Sequence, residues 1–182
     1  MRIIPTAIPE VVLIEPRVFQ DKRGYFMESW NQATFDALIG ETRFVQDNYS
    51  RSQKGTLRGL HLQRNHPQGK LIWVLSGTIF DVAVDMRPGS ATFGQWTGHI
   101  LSADNPRQLW IPEGFAHGFY VLSEFADVLY KCTDFYHPED ELTLHWQDPK
   151  LAIDWPLDAN PIVSAKDLQG MDFSAAVEKL SE

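Results

Sequence analysis

The stretch Thr56–Trp73, TLRGLHLQRNHPQGKLIW, sets Arg58, His61, Arg64, His66 and Lys70 among apolar residues. Each of these side chains can do chemistry in a cleft. An imidazole is a competent base near neutral pH, and more so when a carboxylate orients it. A lysine beside a carbonyl oxygen stabilises negative charge that develops there. Arginines such as Arg23, Arg58 and Arg64 can hold a phosphate or diphosphate by paired hydrogen bonds. With His117 and a tyrosine from elsewhere in the chain, His61 and Lys70 would suit removal of a proton α to a ketone. The enolate would then be reprotonated on the opposite face. That is an epimerisation.

The elements that must position these groups read as strands. Alternation with a period of two predicts Arg58 and Leu60 on one face, and Leu57, Gly59 and His61 on the other. Cations or imidazoles on both faces are expensive to bury in an apolar core, so a cleft is expected. Short β-like runs recur at 44–50, 56–63, 70–76, 78–85, 92–101, 107–111, 117–122 and 126–136, with turn signals between them. Such spacing favours a sandwich or barrel over alternating β and α units. Residues 11–19 read as a strand interrupted at Pro16, which suits an edge position or exchange with a partner. A turn at Asp21–Gly24 leads to a strand carrying Glu28. Asn31 can cap, and Gly40 can close, a helix whose Phe35, Leu38 and Ile39 share a face. Pro149–Pro161 reads as an ordered tail, 174–181 as a short terminal helix, and Trp73, Trp96 and Trp110 as core. No repeat or linker marks a boundary, so 1–182 is expected to be one domain.

The totals exclude several classes of function. The chain has 182 residues, enough for a core without disulfides, and 43% of them are hydrophobic. A net charge of −8 argues against nucleic-acid or anionic-membrane partners, while leaving room for a local basic pocket. The single cysteine, Cys132, allows no internal disulfide and favours a reducing compartment. No apolar run approaches the ~18 residues of a membrane span, so a cytoplasmic location is expected.

Two segments are similar to the cupin signatures. The first cupin motif places two histidines and a glutamate before a strand, then a glycine. Here His61 opens the pattern, Lys70 stands in the place of the glutamate, and Gly77 follows. Pro112, Gly114 and His117 match the second motif, but Val121 stands where it has an asparagine. An ammonium in the carboxylate's place would repel a divalent cation at ligand distance. No metal is therefore expected, and the pocket should run on acid–base chemistry.

A closer resemblance covers most of the chain. The runs DKRGYFMESWNQATFDALIG, FVQDNYS, LRGLHLQ, QGKL, FDVAVD, RQLWIPEGFAHGF, LYKCTDFY and SAKD are similar, in order, to those of the dTDP-4-dehydrorhamnose 3,5-epimerases. The resemblance implies an all-β, cupin-type jelly-roll barrel or sandwich with a few short helices, without metal or cofactor, forming a homodimer. It implies conversion of dTDP-4-dehydro-6-deoxy-D-glucose, a dTDP-4-keto-6-deoxy sugar, to dTDP-4-dehydro-L-rhamnose. Carried over by motif, His61 resembles the general base, Asp167 its carboxylate partner, Lys70 the enolate stabiliser and Tyr130 the proton donor. The implied substrate contacts are Arg23, Glu28, Gln46, Asp47, Asn48, Arg58, Lys70, His117, Tyr136, Glu141 and Lys166. At Glu141 the run HPEDELT departs from the serine-rich loop expected, so Glu139 is an alternative. A single-centre epimerase, a metal-dependent cupin oxygenase and a non-catalytic sugar-nucleotide binding module stand as rival readings.

Overall fold

Alternating apolar and polar positions fold into two sheets that face each other, as the computed structural model shows for residues 1–182. In chain order the strands are β1 Arg2–Pro5, β2 Val12–Glu15, β3 Val18–Asp21, β4 Gly24–Met27, β5 Gln46–Gln53, β6 Thr56–Gln63 and β7 Lys70–Ser76. They continue with β8 Thr78–Asp85, β9 Trp96–Ser102, β10 Gln108–Ile111, β11 Phe115–Val121, β12 Phe125–Cys132, β13 Glu141–Thr143 and β14 Ile162–Val163. The helices are α1 Gln32–Ile39, α2 Ala165–Leu168 and α3 Phe173–Ser181.

One sheet runs β1-β2-β10-β7-β12-β5, and the other β13-β6-β11-β8-β9 with β14 alongside β6. The fold is a cupin-like β-sandwich, and between the sheets Ile72, Val74, Ile79, Ala83, Phe115 and Val128 are almost fully enclosed. The second sheet is apolar on its other face as well. There Leu57, Leu60 and Leu62 pack with Trp146, Trp155 and Ala176 from the C-terminal tail and α3. Helix α1 follows its sequence signals: Asn31 accepts from the Thr34 N–H, and the Gly40 N–H returns to the Asp36 carbonyl. Its Phe35 is 2% exposed against Val12, Ile14, Leu71 and Trp110 on the outside of the first sheet. Burial of that ring is worth roughly 2–3 kcal/mol.

Several expectations change in the folded chain. The edge of the first sheet is β1, which pairs with β2 over Arg2–Pro5, so the strand after Pro9 lies inside the sheet rather than at its edge. Pro16 marks where the chain leaves that sheet: β3 pairs only with β4, as a separate hairpin, and Glu28 follows the end of β4. Residues 92–95 form turns, because Ser90 and Thr92 bind the Asp85 carboxylate instead of extending β9. Trp110 is core, whereas Trp73 and Trp96 are only half-buried. Trp73 faces a surface groove shared with Tyr25, Phe26 and Met27 of the hairpin.

Candidate active site

Strand β6 carries the site because its alternation breaks. Against β11, His61 pairs with His117 while Arg58 pairs with Phe119, so three steps along β6 match two along β11. This is a β-bulge, one extra residue that turns the side chains beyond it to the other face. Arg58 and His61 consequently both line the cavity between the sheets, and Leu60 joins Leu57 in the core beneath the tail. The expected division of these residues between opposite faces is thereby corrected. Gly59 permits the bulge: its φ is +104°, and a Cβ there would lie 2.5 Å from the His117 carbonyl oxygen.

The cavity measures about 600 Å³. Its walls draw on both sheets: Lys70 from β7, Tyr130 from β12, Gln46 and Asn48 from β5, Arg58 and His61 from β6, and His117 from β11. A strap from the C-terminal part completes the rim. β14 runs parallel to β6 with Ile162 opposite Thr56, and the Ser164 hydroxyl caps α2 by accepting from the Asp167 N–H at 3.1 Å. This delivers the Asp167 Oδ1 to 2.6 Å from His61 Nε2, across 106 residues of sequence. Burial pushes the Asp167 carboxyl up, but the His61 hydrogen bond and charge hold it below the ordinary aspartate value. Since a carboxylate can only accept, Nε2 carries the proton and Nδ1 keeps its lone pair in the neutral ring.

Glu141 lies on the other side of that imidazole, its Oε1 3.8 Å from His61 Nδ1. Its Oε2 accepts from the Tyr136 hydroxyl at 2.8 Å and from the Lys166 ammonium. Burial raises the Glu141 carboxyl, and these two hydrogen bonds bring it back below the ordinary value. Lys70 is 7% exposed, and burial pulls its ammonium down against the opposing charges of Cys132, Glu141 and Asp81. Burial pushes the Tyr130 phenol up to about 12, so it holds its proton throughout the neutral range. Arg58 has its Nε tied to Ser52 at 2.9 Å.

Of the residues singled out in the sequence, His61, Lys70, Tyr130, Asp167, Gln46, Asn48, Arg58, His117, Tyr136, Glu141 and Lys166 meet at this cavity. Others do not: Arg64 donates to the Lys179 carbonyl at 3.2 Å, and His66 lies 3.3 Å from Asp140, both outside the cavity. Asp47 points outward between Gln46 and Asn48 and pairs with Lys131 at 3.0 Å. Arg23 sits at the tip of the β3–β4 hairpin, its side chain 83% exposed and paired with Asp21. Glu28 accepts from Asn31 at 3.0 Å, outside the cavity. Glu139 turns away to His137, so Glu141 is the glutamate that reaches the site. Cys132 is buried beside Lys70 on the neighbouring strand. Ser50, Gln68 and Phe119 also line the cavity and were not anticipated. Alternation along β5 from Gln46 and Asn48 would have pointed to Ser50.

A β-sandwich whose cavity presents a histidine–aspartate pair, a buried lysine and a protonated phenol defines a cupin-type enzyme of proton transfer. The chain belongs to the dTDP-4-dehydrorhamnose 3,5-epimerase family, whose model matches residues 5–175. It is 58% identical to the dTDP-4-dehydrorhamnose 3,5-epimerase of Pseudomonas aeruginosa, over 97% of this chain and 98% of that one. Among solved structures, an epimerase of Legionella pneumophila in complex with dTDP-4-keto-L-rhamnose superimposes with a TM-score of 0.96. It is 56% identical, over 98% of this chain and 96% of the other. A 3'-monoepimerase from Streptomyces bikiniensis, in complex with dTDP-quinovose, gives a TM-score of 0.90 at 31% identity, over 97% and 90% of the two chains.

Proposed function

We propose that this protein inverts C3 and C5 of dTDP-4-dehydro-6-deoxy-D-glucose to give dTDP-4-dehydro-L-rhamnose, in the cytoplasm and without metal or cofactor. The observation that carries the reading is the 2.6 Å pairing of His61 with Asp167 on a cavity that also holds Lys70 and Tyr130. His61 Nδ1, the nitrogen left free by Asp167, takes the proton from the carbon next to the C4 ketone. The C–H electron pair moves into the carbonyl to form an enolate. Lys70 stabilises the charge that develops on its oxygen, and His117 contacts the substrate in the same cavity. Tyr130 returns a proton from the opposite face, and solvent re-protonates the phenolate and relieves the imidazolium. Repeating the cycle at the second carbon completes the double inversion. Arg58 holds the diphosphate, and Gln46, Asn48, Tyr136, Glu141 and Lys166 contact the substrate around it. A lysine in the place of a cupin's carboxylate ligand supports a metal-free route, since it would repel a divalent cation.

In this proposal the active form is a homodimer. Phe19, Tyr25 and Phe26 of the β3–β4 hairpin are 51%, 63% and 71% exposed, an apolar surface that calls for a cover. A second copy would cover it, and Arg23, Glu28 and Asp47, which miss this chain's own cavity, would act at or near the contact between copies. The test is NMR of the dTDP-4-keto sugar in deuterated buffer. Deuterium at both C3 and C5 with the L-rhamno product is expected. Exchange and inversion at one centre alone would make the protein a monoepimerase, and binding without exchange would make it a binding module. His61→Ala should abolish both exchange and product, and full activity in that variant would sink the assignment.

A further inference from the structure

Behind the cavity wall lies a second histidine–carboxylate pair, whose carboxylate has no part in the reaction proposed above. Asp81 on β8 has no exposed surface, and its Oδ1 and Oδ2 lie 3.0 and 2.9 Å from His117 Nε2. His117 in turn is 7% exposed and lines the same cavity as Lys70. Asp81 itself touches no part of that cavity. A fully buried carboxylate is costly unless cations or hydrogen-bond donors compensate it. The groups that face it are His117 from β11, His99 from β9 and Lys70 from β7. His99 is held through Nε2 by the Thr97 hydroxyl at 2.9 Å and is pulled down by burial. Lys70 is faced by Cys132 from β12 and Glu141 from β13 as well as by Asp81.

We infer that Asp81 is a positioning residue of the epimerisation. Its carboxylate fixes the ring of His117, and its charge opposes the desolvation of the Lys70 ammonium that faces the C4 oxygen. This rests on the epimerase reading above. The accepting carboxylate requires a proton on His117 Nε2, so only Nδ1 can turn toward the substrate. An asparagine in its place would offer an amide donor as readily as an acceptor and would release the tautomer. It would also remove the negative charge that opposes the desolvation of Lys70.

The test compares Asp81→Asn and Asp81→Glu with the wild-type enzyme, measuring kcat and KM across pH with the dTDP-4-keto sugar. Asp81→Asn should lower kcat about 100-fold with KM within about threefold, and move the alkaline limb of kcat to lower pH by about one unit. Asp81→Glu, which keeps the charge, should leave that limb near its wild-type position. A folded Asp81→Asn protein with kcat within threefold of wild type, or with an unmoved limb, overturns the inference. Should that variant fail to fold by circular dichroism, ¹⁵N-histidine NMR of the wild-type protein decides. A proton on His117 Nε2, in the neutral or doubly protonated ring, supports the assignment; a neutral ring protonated only at Nδ1 overturns it. If the wild type shows that Nε2 proton yet never exchanges substrate hydrogens, the epimerase reading fails and the positioning of His117 by Asp81 stands.

Discussion

His61 can serve as a base at neutral pH only while its free nitrogen stays unprotonated and aimed, and Asp167 does the aiming. Replacing Asp167 with asparagine keeps the volume but frees the imidazole to hold the wrong tautomer. A fall in kcat of about 10²–10⁴-fold is expected, with circular dichroism unchanged. Tyr130→Phe removes the donor and leaves the base in place, so solvent exchange should outlast net inversion; equal loss of both would argue against a two-face mechanism. Of the groups on the cavity wall, Lys70 sets the alkaline limit. Burial lowers its folded-state value below that of a free lysine, so the ammonium is complete at low pH and lost as pH rises through that lowered value. Activity should therefore decline on the alkaline side before a solvent-exposed lysine would titrate, whereas Tyr130, at about 12, is not the group being lost. In Lys70→Met the residual activity should no longer show that limb in a pH–rate profile.

At the scale of elements, two irregular pieces build a site that regular strands could not. The bulge in β6 brings Arg58 and His61 to one cavity, and it depends on a residue without a side chain at position 59. In Gly59→Ala the new methyl group would meet the His117 carbonyl oxygen at 2.5 Å, in a left-handed backbone conformation that alanine disfavours. A loss of roughly 2–4 kcal/mol is expected, read by denaturant unfolding, with activity falling as His61 and His117 shift apart. The second piece is the strap of β14 and α2, held by a parallel pairing and a serine cap. Both pieces hide from pattern reading for the same reason. Alternation assumes a constant register, and a two-residue strand is too short to show any period. The long strands β7, β8 and β11 and helix α1 were legible because their apolar periods and caps agree with their burial.

For the whole molecule, the proposed dimer makes a sharp prediction. If Arg23 serves the cavity of the other copy, Arg23→Ala and His61→Ala damage different halves of each site. Mixing the two inactive variants with subunit exchange should then restore up to about a quarter of wild-type sites. No recovery in a mixture that forms mixed dimers would return Arg23 to a role in its own chain. The sequence by itself determined the class of fold, the types of reactive group and the family. Those follow from local periodicity and from motifs a few residues long, in which the chemistry stays close to its neighbours in the chain. What only the tertiary structure decided is which of those groups meet. His61 reaches Asp167 across 106 residues. His117 rests on Asp81, and Arg58 crosses to the face of His61 through a single bulge. Sheet register and packing set these distances, and no spacing along the chain encodes them. Lys70 shows the division most plainly: its place in the motif was legible, but the burial that weakens its hold on a proton comes from strands folded around it.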